Sequence, residues 1–582
     1  MFGAGVGLVG CGGDLSDIDR RVDRVLADRS ALIGGDAAAP RRAWQSPDLP
    51  RHRDLADKAP PTSNPRASEL RFTAASEKRD FAKRLDKLQQ QTAGAEDASV
   101  LRFDLPGAWR QTQTTARDYL SAEEDYILAG IRLLIERHRW SPRLFATTAA
   151  SAGANYNNGN RTSSAVNVVN TLGVRKELPF GGDVAATWVW DASEDLRSAA
   201  TGRYRQSSRL VLDGNIPLLR GFGLVAEEGR IQAERGLIYA ARDFESFRRQ
   251  FLVDIARDYF ALLQQQDGLA STERQVENLR NIRDRQQALY DAGRVAKFDV
   301  NLSNNDVLSA EAGLANTRES LLLALDAFRV RLGLPEGTRI RIEPSEFAVP
   351  EPDVSLEAAV SLALDFRLDL QNQRDRLDDT KRGVLIAQNQ LLPDLNLSGG
   401  VTLPTKAGER EGGSVYELDD IQYSAGLTLN WPIDKENERL GLRQSIIGLH
   451  QSQRSFDQFR DNLIIEVRAR VREIERARFN LKLAEDRVEI NLRRKEEQDI
   501  KSDEVEAQAL VDTANAIRDA ERARDQAKAD LRNSVLEYLL RTGTMRVRRD
   551  GTFEPLPGME NAPTADLPPD APTRLPPIEE TP

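Results

Sequence analysis

The stretch YSAGLTLNW, residues Tyr423 to Trp431, alternates strictly between apolar and small polar residues. A period of two predicts a β-strand with one apolar and one polar face. The polar positions carry only Ser, Gly, Thr and Asn, and an aromatic residue closes the apolar row at one end. This pattern is typical of a strand that faces lipid on one side and water on the other. An ordinary half-buried antiparallel sheet is the alternative interpretation.

The same alternation occurs from Leu395 to Leu403 and again in VAATWVWDAS, where Trp188 and Trp190 share a face. Aromatic residues collect where a membrane meets water. We therefore expect Trp188, Trp190, Tyr423 and Trp431 to form an interfacial girdle. Four such strands are too few to close a barrel, since about eight are needed, so a barrel requires several copies of the chain.

Prolines mark each change between helix and strand. Pro142 and Pro393 stand where a helical pattern stops and an alternating pattern begins, and Pro217 and Pro432 precede long helical patterns. Proline fits these junctions because it lacks a backbone N–H and has a fixed φ. The chain therefore contains two repeats, each reading helix, strand pair, long helix, turn, helix.

The long helices are predicted by proline-free, periodic segments. One runs from Gly223 to about Ala292, which corresponds to ~100 Å at about 1.5 Å per residue. A second runs from about Glu436 to Lys501. Apolar residues recur at spacings of three and four, which predicts a narrow coiled-coil seam; they are Phe244, Phe247, Phe251, Ile255, Tyr259 and Leu262 in the first helix, and Ile464, Val467, Val471 and Ile474 in the second.

Composition supports an elongated, helix-rich protein. The chain has 582 residues, of which 30% are charged and 6% aromatic, and its formal charge of -10 gives no general indication of nucleic-acid binding. The single cysteine, Cys11, follows Leu8-Val9-Gly10, which fits the pattern of a bacterial lipoprotein cleavage site. We expect Cys11 to be lipidated, and a lone buried thiol is the alternative. No stretch approaches the ~20 apolar residues of a transmembrane helix, so strands would have to cross any membrane.

The order of these segments predicts a domain organisation. Residues 1–11 are a lipoprotein signal remnant, 12–115 a polar, extended or loosely docked extension, 116–335 the first repeat, 336–355 a linker, 356–548 the second repeat, and 549–582 a disordered, Pro-rich acidic tail.

Residues suited to bond chemistry are sparse. The three histidines, His52, His138 and His450, have no partners at metal-ligand or triad spacing. No glycine-rich phosphate loop follows a buried parallel strand. We therefore expect neither an enzyme nor a bound metal or cofactor.

Four stretches resemble the TolC-like outer membrane efflux proteins, also called outer membrane factors. They are ELPFGGDVAATWVW, IPLLRGFG, the segment from FRLDLQNQRDRL to LLPDLNLSGG, and YDAGRVAKFDV. The resemblance covers about residues 117–545. It implies a mainly α fold with β: long antiparallel helical hairpins forming a periplasmic α-barrel, plus four strands per chain in a twelve-stranded outer membrane β-barrel of a homotrimer. It also implies a periplasmic adaptor (membrane fusion) protein and an inner membrane pump as partners.

The family resemblance assigns roles to the first helical turn. Ala292, Gly293, Arg294 and Lys297 match the adaptor-contacting tip, and Asp299 matches an aspartate on the pore side of that turn. A ring of carboxylates at a constriction favours cations. Asp299 equally fits a first-turn acid that is stabilised by the helix dipole.

The second predicted turn departs from the family because it lacks glycine. Asp503 occupies the position of that glycine, with Glu504 and Glu506 beside it, and Asp512 fits a family aspartate further on. Together with Asp299, these acids are the predicted pore gate. The expected function is the exit duct of a tripartite efflux or type I secretion system; a non-conducting coiled-coil scaffold lipoprotein of the envelope is the competing hypothesis.

Overall fold

A computed structural model describes residues 15–33, 100–157, 160–195, 204–344, 355–405, 415–416, 418–500 and 507–554. The chain divides into two units. Unit 1 comprises Met1–Glu124, Asp243–Leu368 and Asp461–Pro582, and unit 2 comprises Asp125–Arg242 and Asp369–Arg460.

The helices dominate the described residues. They are α1 (Leu15–Ile33), α2 (Leu105–Thr115), α3 (Arg117–Arg139), α4 (Leu224–Asp291), α5 (Lys297–Arg331), α6 (Leu356–Phe366), α7 (Leu368–Asn389), α8 (Glu436–Ile500) and α9 (Ala507–Arg541). The 68 residues of α4 and the 65 of α8 confirm the two long helices that the sequence predicts.

The described strands form two sheets. They are β1 (Leu101–Phe103), β2 (Arg143–Asn157), β3 (Asn160–Glu177), β4 (Asp183–Asp195), β5 (Tyr204–Pro217), β6 (Ile340–Ile342), β7 (Asp394–Pro404) and β8 (Gln422–Asn430). In unit 1, β1 and β6 make a two-stranded parallel pair. In unit 2 the remaining strands make one antiparallel sheet in the order β2-β3-β4-β5-β7-β8.

The fold class predicted from the sequence is confirmed, but the predicted number of strands is wrong. The sheet of unit 2 has six strands instead of four. The sequence analysis counted only one strand pair in the first repeat, and it described no pattern for β3, whose segment SSAVNVVNTLGV is rich in β-branched residues. The first repeat therefore contains two hairpins between its helices, whereas the second repeat contains one.

All helices that join the unit 2 sheet do so at the same end. Helix α3 precedes β2, β5 precedes α4, α7 precedes β7, and β8 precedes α8. We call this the helix-proximal end. Ion pairs concentrate there: Arg143 Nη2 lies 2.9 Å from Glu177 Oε1, and Arg175 Nε lies 3.4 Å from Asp183 Oδ2.

Within unit 2, α4 and α7 are joined by a polar network. Asp379 accepts hydrogen bonds from Arg382 and Tyr239 and forms an ion pair with Arg235 at 3.1 Å. Burial and the hydrogen bond to Asp379 raise the pKa of Tyr239 to about 12, so its hydroxyl remains a donor at neutral pH. The carboxylate at Asp379 thus fixes the two helices side by side.

In unit 1 the core surrounds the middle of α4. From Phe251 to Leu263 the helix is buried on most sides, including Leu252, Val253 and Ala256 as well as the predicted Ile255 and Tyr259. The predicted narrow seam is therefore wrong for this part of α4. By contrast, α8 keeps a single buried stripe at spacings of three and four, as predicted, although it begins at Leu463 and the predicted Ile464 is only half-buried. The stripe consists of Leu463, Val467, Val471, Ile474, Ala477, Leu481, Ala484 and Val488.

The residues just before α3 are firmly packed, which corrects the prediction of a loosely docked segment for residues 100–115. Trp109 of α2 is buried, and its indole Nε1 donates to the carbonyl of Leu252 at 2.8 Å. Asp104 caps α2 by accepting from the backbone N–H of Gly107. A buried Trp with a satisfied N–H contributes a large apolar area and a specific anchor.

Candidate functional site

The apolar face of the unit 2 sheet is the first candidate surface. Cross-strand pairing places one residue from each strand in a continuous row: Leu144, Val174, Ala186, Leu212, Val401 and Tyr423. The side chains in this row are exposed or half-buried, and Leu144 is 72% exposed. Contiguous exposed apolar surface marks a contact with lipid or another macromolecule.

The opposite face of the same sheet is richer in small polar groups. On β7 it carries Asn396, Ser398, Gly400 and Thr402, and on β8 it carries Gln422, Ser424, Gly426, Thr428 and Asn430. The alternation predicted for both strands is thus present in the sheet. A wall with these two faces can separate lipid from water.

The four predicted girdle aromatics divide into two groups. Trp188, Trp190 and Tyr423 share the apolar face, as their pairing register requires. Trp431 follows β8 at the helix-proximal end, where it is 63% exposed and Lys435 Nζ lies 5.2 Å from its ring centroid. Tyr416, which the sequence analysis missed, accepts a hydrogen bond from Trp188 Nε1 at 3.0 Å.

The turn between α4 and α5 is the second candidate surface. Gly293 has φ +72°. Its N–H donates to the Tyr290 carbonyl at 2.8 Å, and the Arg294 N–H donates to the Leu289 carbonyl at 2.9 Å. These two bonds define a Schellman motif, so the glycine predicted at the helix turn ends α4 in the expected way. Ala292 and Arg294 are both exposed.

Helix α5 begins beside this turn. Asp299 Oδ2 accepts from the Ala296 backbone N–H at 3.2 Å, as the third residue of the helix. This contact gives Asp299 the capping role, one of the two alternatives that the sequence left open. Lys297 and Phe298 are exposed, Phe298 at 71%. The sequence analysis missed Phe298, although an aromatic residue next to a predicted turn was a visible signal.

The second turn lies largely outside the described residues, as do Asp503, Glu504, Glu506 and also Cys11. Asp512 is on α9, is exposed, and accepts from Gln508 Nε2 at 3.0 Å. Burial and the nearby charge of Asp512 raise the pKa of Asp306 on α5. Asp306 Oδ2 is inaccessible and has no hydrogen-bond partner among the residues that the structure describes. The structure therefore places Asp512 near Asp306, an acid that the sequence analysis did not select.

Packing explains this pair of acids. Leu279, Val307 and Val511 form one buried cluster, which brings α4, α5 and α9 together beside Asp306 and Asp512. Burial beside this cluster and the charge of Asp512 both disfavour the ionised form of Asp306. The described residues contain no group of three or more His, Cys, Asp or Glu side chains placed to hold a metal ion. Among the described helices, none is both long enough and apolar enough for a membrane span.

The fold is that of outer membrane channels. The Campylobacter jejuni CmeC outer membrane channel aligns with a TM-score of 0.56 at 13% identity, covering 88% of this chain and 95% of that chain. The open state of the Neisseria gonorrhoeae MtrE outer membrane channel aligns with a TM-score of 0.54 at 15% identity, covering 77% and 90%. The Vibrio cholerae outer membrane protein VceC aligns with a TM-score of 0.53 at 14% identity, covering 75% and 96%.

A family model gives a further comparison. Residues 359–542 match the model described as outer membrane efflux protein. The resemblance drawn from the four sequence motifs is thereby confirmed. No curated protein sequence is significantly similar to the chain.

Proposed function

We propose that three copies of this chain form a channel in the bacterial outer membrane. It is the exit duct of a tripartite efflux or type I secretion system, and it passes solutes or polypeptides from the periplasm to the exterior. The observation that carries this proposal is the sheet of unit 2, whose apolar face is exposed and whose opposite face is polar. The role is conduction, with no catalytic step and no cofactor.

The membrane location rests on the chemistry of the sheet. An exposed row that includes Leu144 and Tyr423, 72% and 77% exposed, is costly in water and favourable in lipid. The aromatic residues Trp188, Trp190, Tyr423 and Trp431 form the interfacial girdle. Lipidation of Cys11 adds an anchor on the periplasmic side, and the helices extend into the periplasm.

The turn between α4 and α5 is the proposed contact for a periplasmic adaptor protein, which in turn binds an inner membrane pump. Arg294 and Lys297 provide exposed positive charge, and Phe298 provides an exposed aromatic ring. Aromatic and Arg side chains are the usual anchors of protein interfaces. Ala292 has a small side chain and Gly293 has none, so an adaptor can approach the backbone of this turn.

The proposed gate is acidic and centres on Asp512. Asp306 joins it from α5, while Asp503, Glu504 and Glu506 complete it from the second turn. Asp299 is the least suited of the sequence-selected acids, because its carboxylate already caps α5. Repeated in three copies, these carboxylates would make the aperture selective for cations.

Planar bilayer recordings test this function. The purified full chain should insert and give discrete conductance steps with cation preference. Asp512→Asn should lower the cation-to-anion permeability ratio by about twofold or more. Asp519→Asn is the matched control, because Asp519 is also an exposed aspartate on α9 but lies next to Arg518 at 2.7 Å. Absence of conductance from membrane-inserted protein would instead favour the envelope scaffold hypothesis.

A further inference from the structure

The sheet of unit 2 has two open edges. Among the described strands, β2 pairs only with β3, and β8 pairs only with β7. The outward backbone groups of β2 and β8 therefore have no strand partner within the described part of the chain. In a hydrocarbon environment such groups must be paired, since each unsatisfied group costs several kcal/mol.

We infer that the β2 edge of one copy pairs with the β8 edge of the next, and that the closed sheet of the assembly has eighteen strands. The number follows from three copies of a six-stranded sheet, and it rests on the trimer of the proposed function. It differs from the twelve strands that the family resemblance implies.

Strand direction supports this pairing. β2 begins at the helix-proximal end of the sheet, because it follows α3, and β8 finishes there, because it precedes α8. The two edge strands of neighbouring copies therefore run antiparallel when their helix-proximal ends are level. Every other pair in the sheet is antiparallel as well. Head-to-tail contacts of this kind close into a ring when the rotation allows.

The apolar and polar faces of the sheet determine which residues can lie side by side where β2 of one copy meets β8 of the next. On β2 the apolar face carries the even-numbered residues, beginning with Leu144, and on β8 it carries odd-numbered residues such as Leu427 and Leu429. A slip of one residue would turn the apolar set of one strand towards the polar face. Thr147 of β2 should therefore lie beside an even-numbered residue of β8.

The additional pair of strands, β3 and β4, is part of the sheet and does not project from it. β3 and β4 each have a strand partner on both sides, and the apolar row continues through Val174 and Ala186 without interruption. A closed sheet must therefore include them. Barrel diameter grows roughly linearly with strand number. Eighteen strands give a diameter about 1.5 times that of twelve, and a cross-section about twice as large.

Disulfide trapping tests the seam. In a Cys11→Ser background, Thr147→Cys is combined in turn with Ser424→Cys, Gly426→Cys and Thr428→Cys, which cover three even-numbered registers on the polar face. Opposite residues of an antiparallel pair lie about 4.5–5.5 Å apart at Cα, within disulfide range. At least one combination should give covalent dimers and trimers after mild oxidation.

The matched control for this experiment is Thr147→Cys with Leu427→Cys, because Leu427 lies on the opposite face. It should give less than about a tenth of the cross-linking of the best combination. Cross-linking that is equal in the control, or absent from all three combinations in an intact oligomer, would overturn the inference.

Strand counting separates this inference from the proposed function. Electron cryomicroscopy of the full chain in nanodiscs should show a closed sheet of eighteen strands. A variant in which residues 158–203 are replaced by an Asn-Gly turn removes β3 and β4, and should show twelve. A trimer whose wall has twelve strands in the unmodified chain would overturn the inference and leave the channel function standing. A copy number other than three in native mass spectrometry would overturn both the number eighteen and the proposed trimer, whatever the outcome of cross-linking.

Discussion

Replacing Glu245 by glutamine should loosen unit 1 around the end of α9. Glu245 is 1% exposed and is enclosed by two guanidinium groups. Its carboxylate accepts from Arg248 Nε at 2.7 Å and from Arg249 Nε at 2.7 Å. Those two arginines donate in turn to the carbonyls of Val547 at 2.9 Å and Gly543 at 3.0 Å. One buried carboxylate therefore holds the segment that follows α9 against α4.

The free-energy cost of Glu245→Gln follows from the two buried charges that lose their partner. Glu245→Gln keeps the size of the side chain but leaves two buried guanidinium groups without a counter-charge. Removing one partner of a buried ion pair costs about 3–5 kcal/mol. At 1.4 kcal/mol per tenfold change in an equilibrium constant, this corresponds to about a hundredfold to a few thousandfold more frequent local opening.

Hydrogen exchange measured by mass spectrometry is the assay, with protection of the peptides around residues 539–554 as the readout. Glu273→Gln is the control because it makes the same change on the same helix in an exposed pair with Arg318, at 2.9 Å. Exposed pairs contribute about 0–1 kcal/mol, so protection should change less than about fivefold. If Glu245→Gln lowers protection no more than Glu273→Gln, the reasoning is refuted.

Glu245 also predicts a pH dependence. Burial opposes its ionisation, but the charges and hydrogen bonds of Arg248 and Arg249 outweigh burial and lower the pKa of the carboxyl below its usual 4.5. A carboxyl whose pKa is lower in the folded state stabilises that state above the unfolded pKa. Protection of the 539–554 region should therefore be constant at neutral pH and decline as pH falls below about 4.5. The decline should be smaller in Glu245→Gln.

Three further perturbations test other parts of the structure. Gly293→Ala should cost about 1–2 kcal/mol at the helix turn because the φ of Gly293 is +72°, whereas the described residues place no atom within 4 Å of the added Cβ. Hydrogen exchange at the turn measures this cost, and Gly293→Asn should cost less. Gly173→Ala should lower the dissociation temperature of the detergent-solubilised oligomer, because the new Cβ would lie 2.6 Å from Phe145 Cζ. Adding Phe145→Ala should restore part of the lost dissociation temperature. Asp306→Asn should raise thermal stability at pH 7, because burial and the charge of Asp512 raise the pKa of Asp306 and penalise its charged form. The gain in stability should vanish at a pH well below 3.8, the usual pKa of an aspartate, where Asp306 is protonated.

The sequence predicts features that depend on neighbouring residues in the chain. The turn at Gly293 and the first-turn acid of α5, Asp299, are readable because a helix end and a first-turn acid are local signals. The alternation of β7 and β8 was readable for the same reason. β3 was missed because Val168 and Val169 are adjacent and break the alternation. Its place in the sheet is fixed by pairing with β2 and β4.

Features that depend on distant residues could not be predicted. The sequence pattern alone singles out none of Glu245, Arg248 and Arg249, yet tertiary packing buries all three. Asp306 became a candidate only because α5 and α9 pack around the cluster of Val307 and Val511. Periodicity describes which side of a helix is apolar, but it does not say which partner covers that side.

The arrangement of the sheet also explains why its strand number differs from expectation by two. The chain enters and leaves the sheet of unit 2 at the helix-proximal end, with α3 before β2 and α8 after β8. An odd number of antiparallel strands would leave its last strand at the opposite end and would make the two edge strands parallel to each other. Neighbouring copies could then not continue the antiparallel ladder. One hairpin is therefore the smallest change that widens the sheet and preserves both helix connections and ring closure.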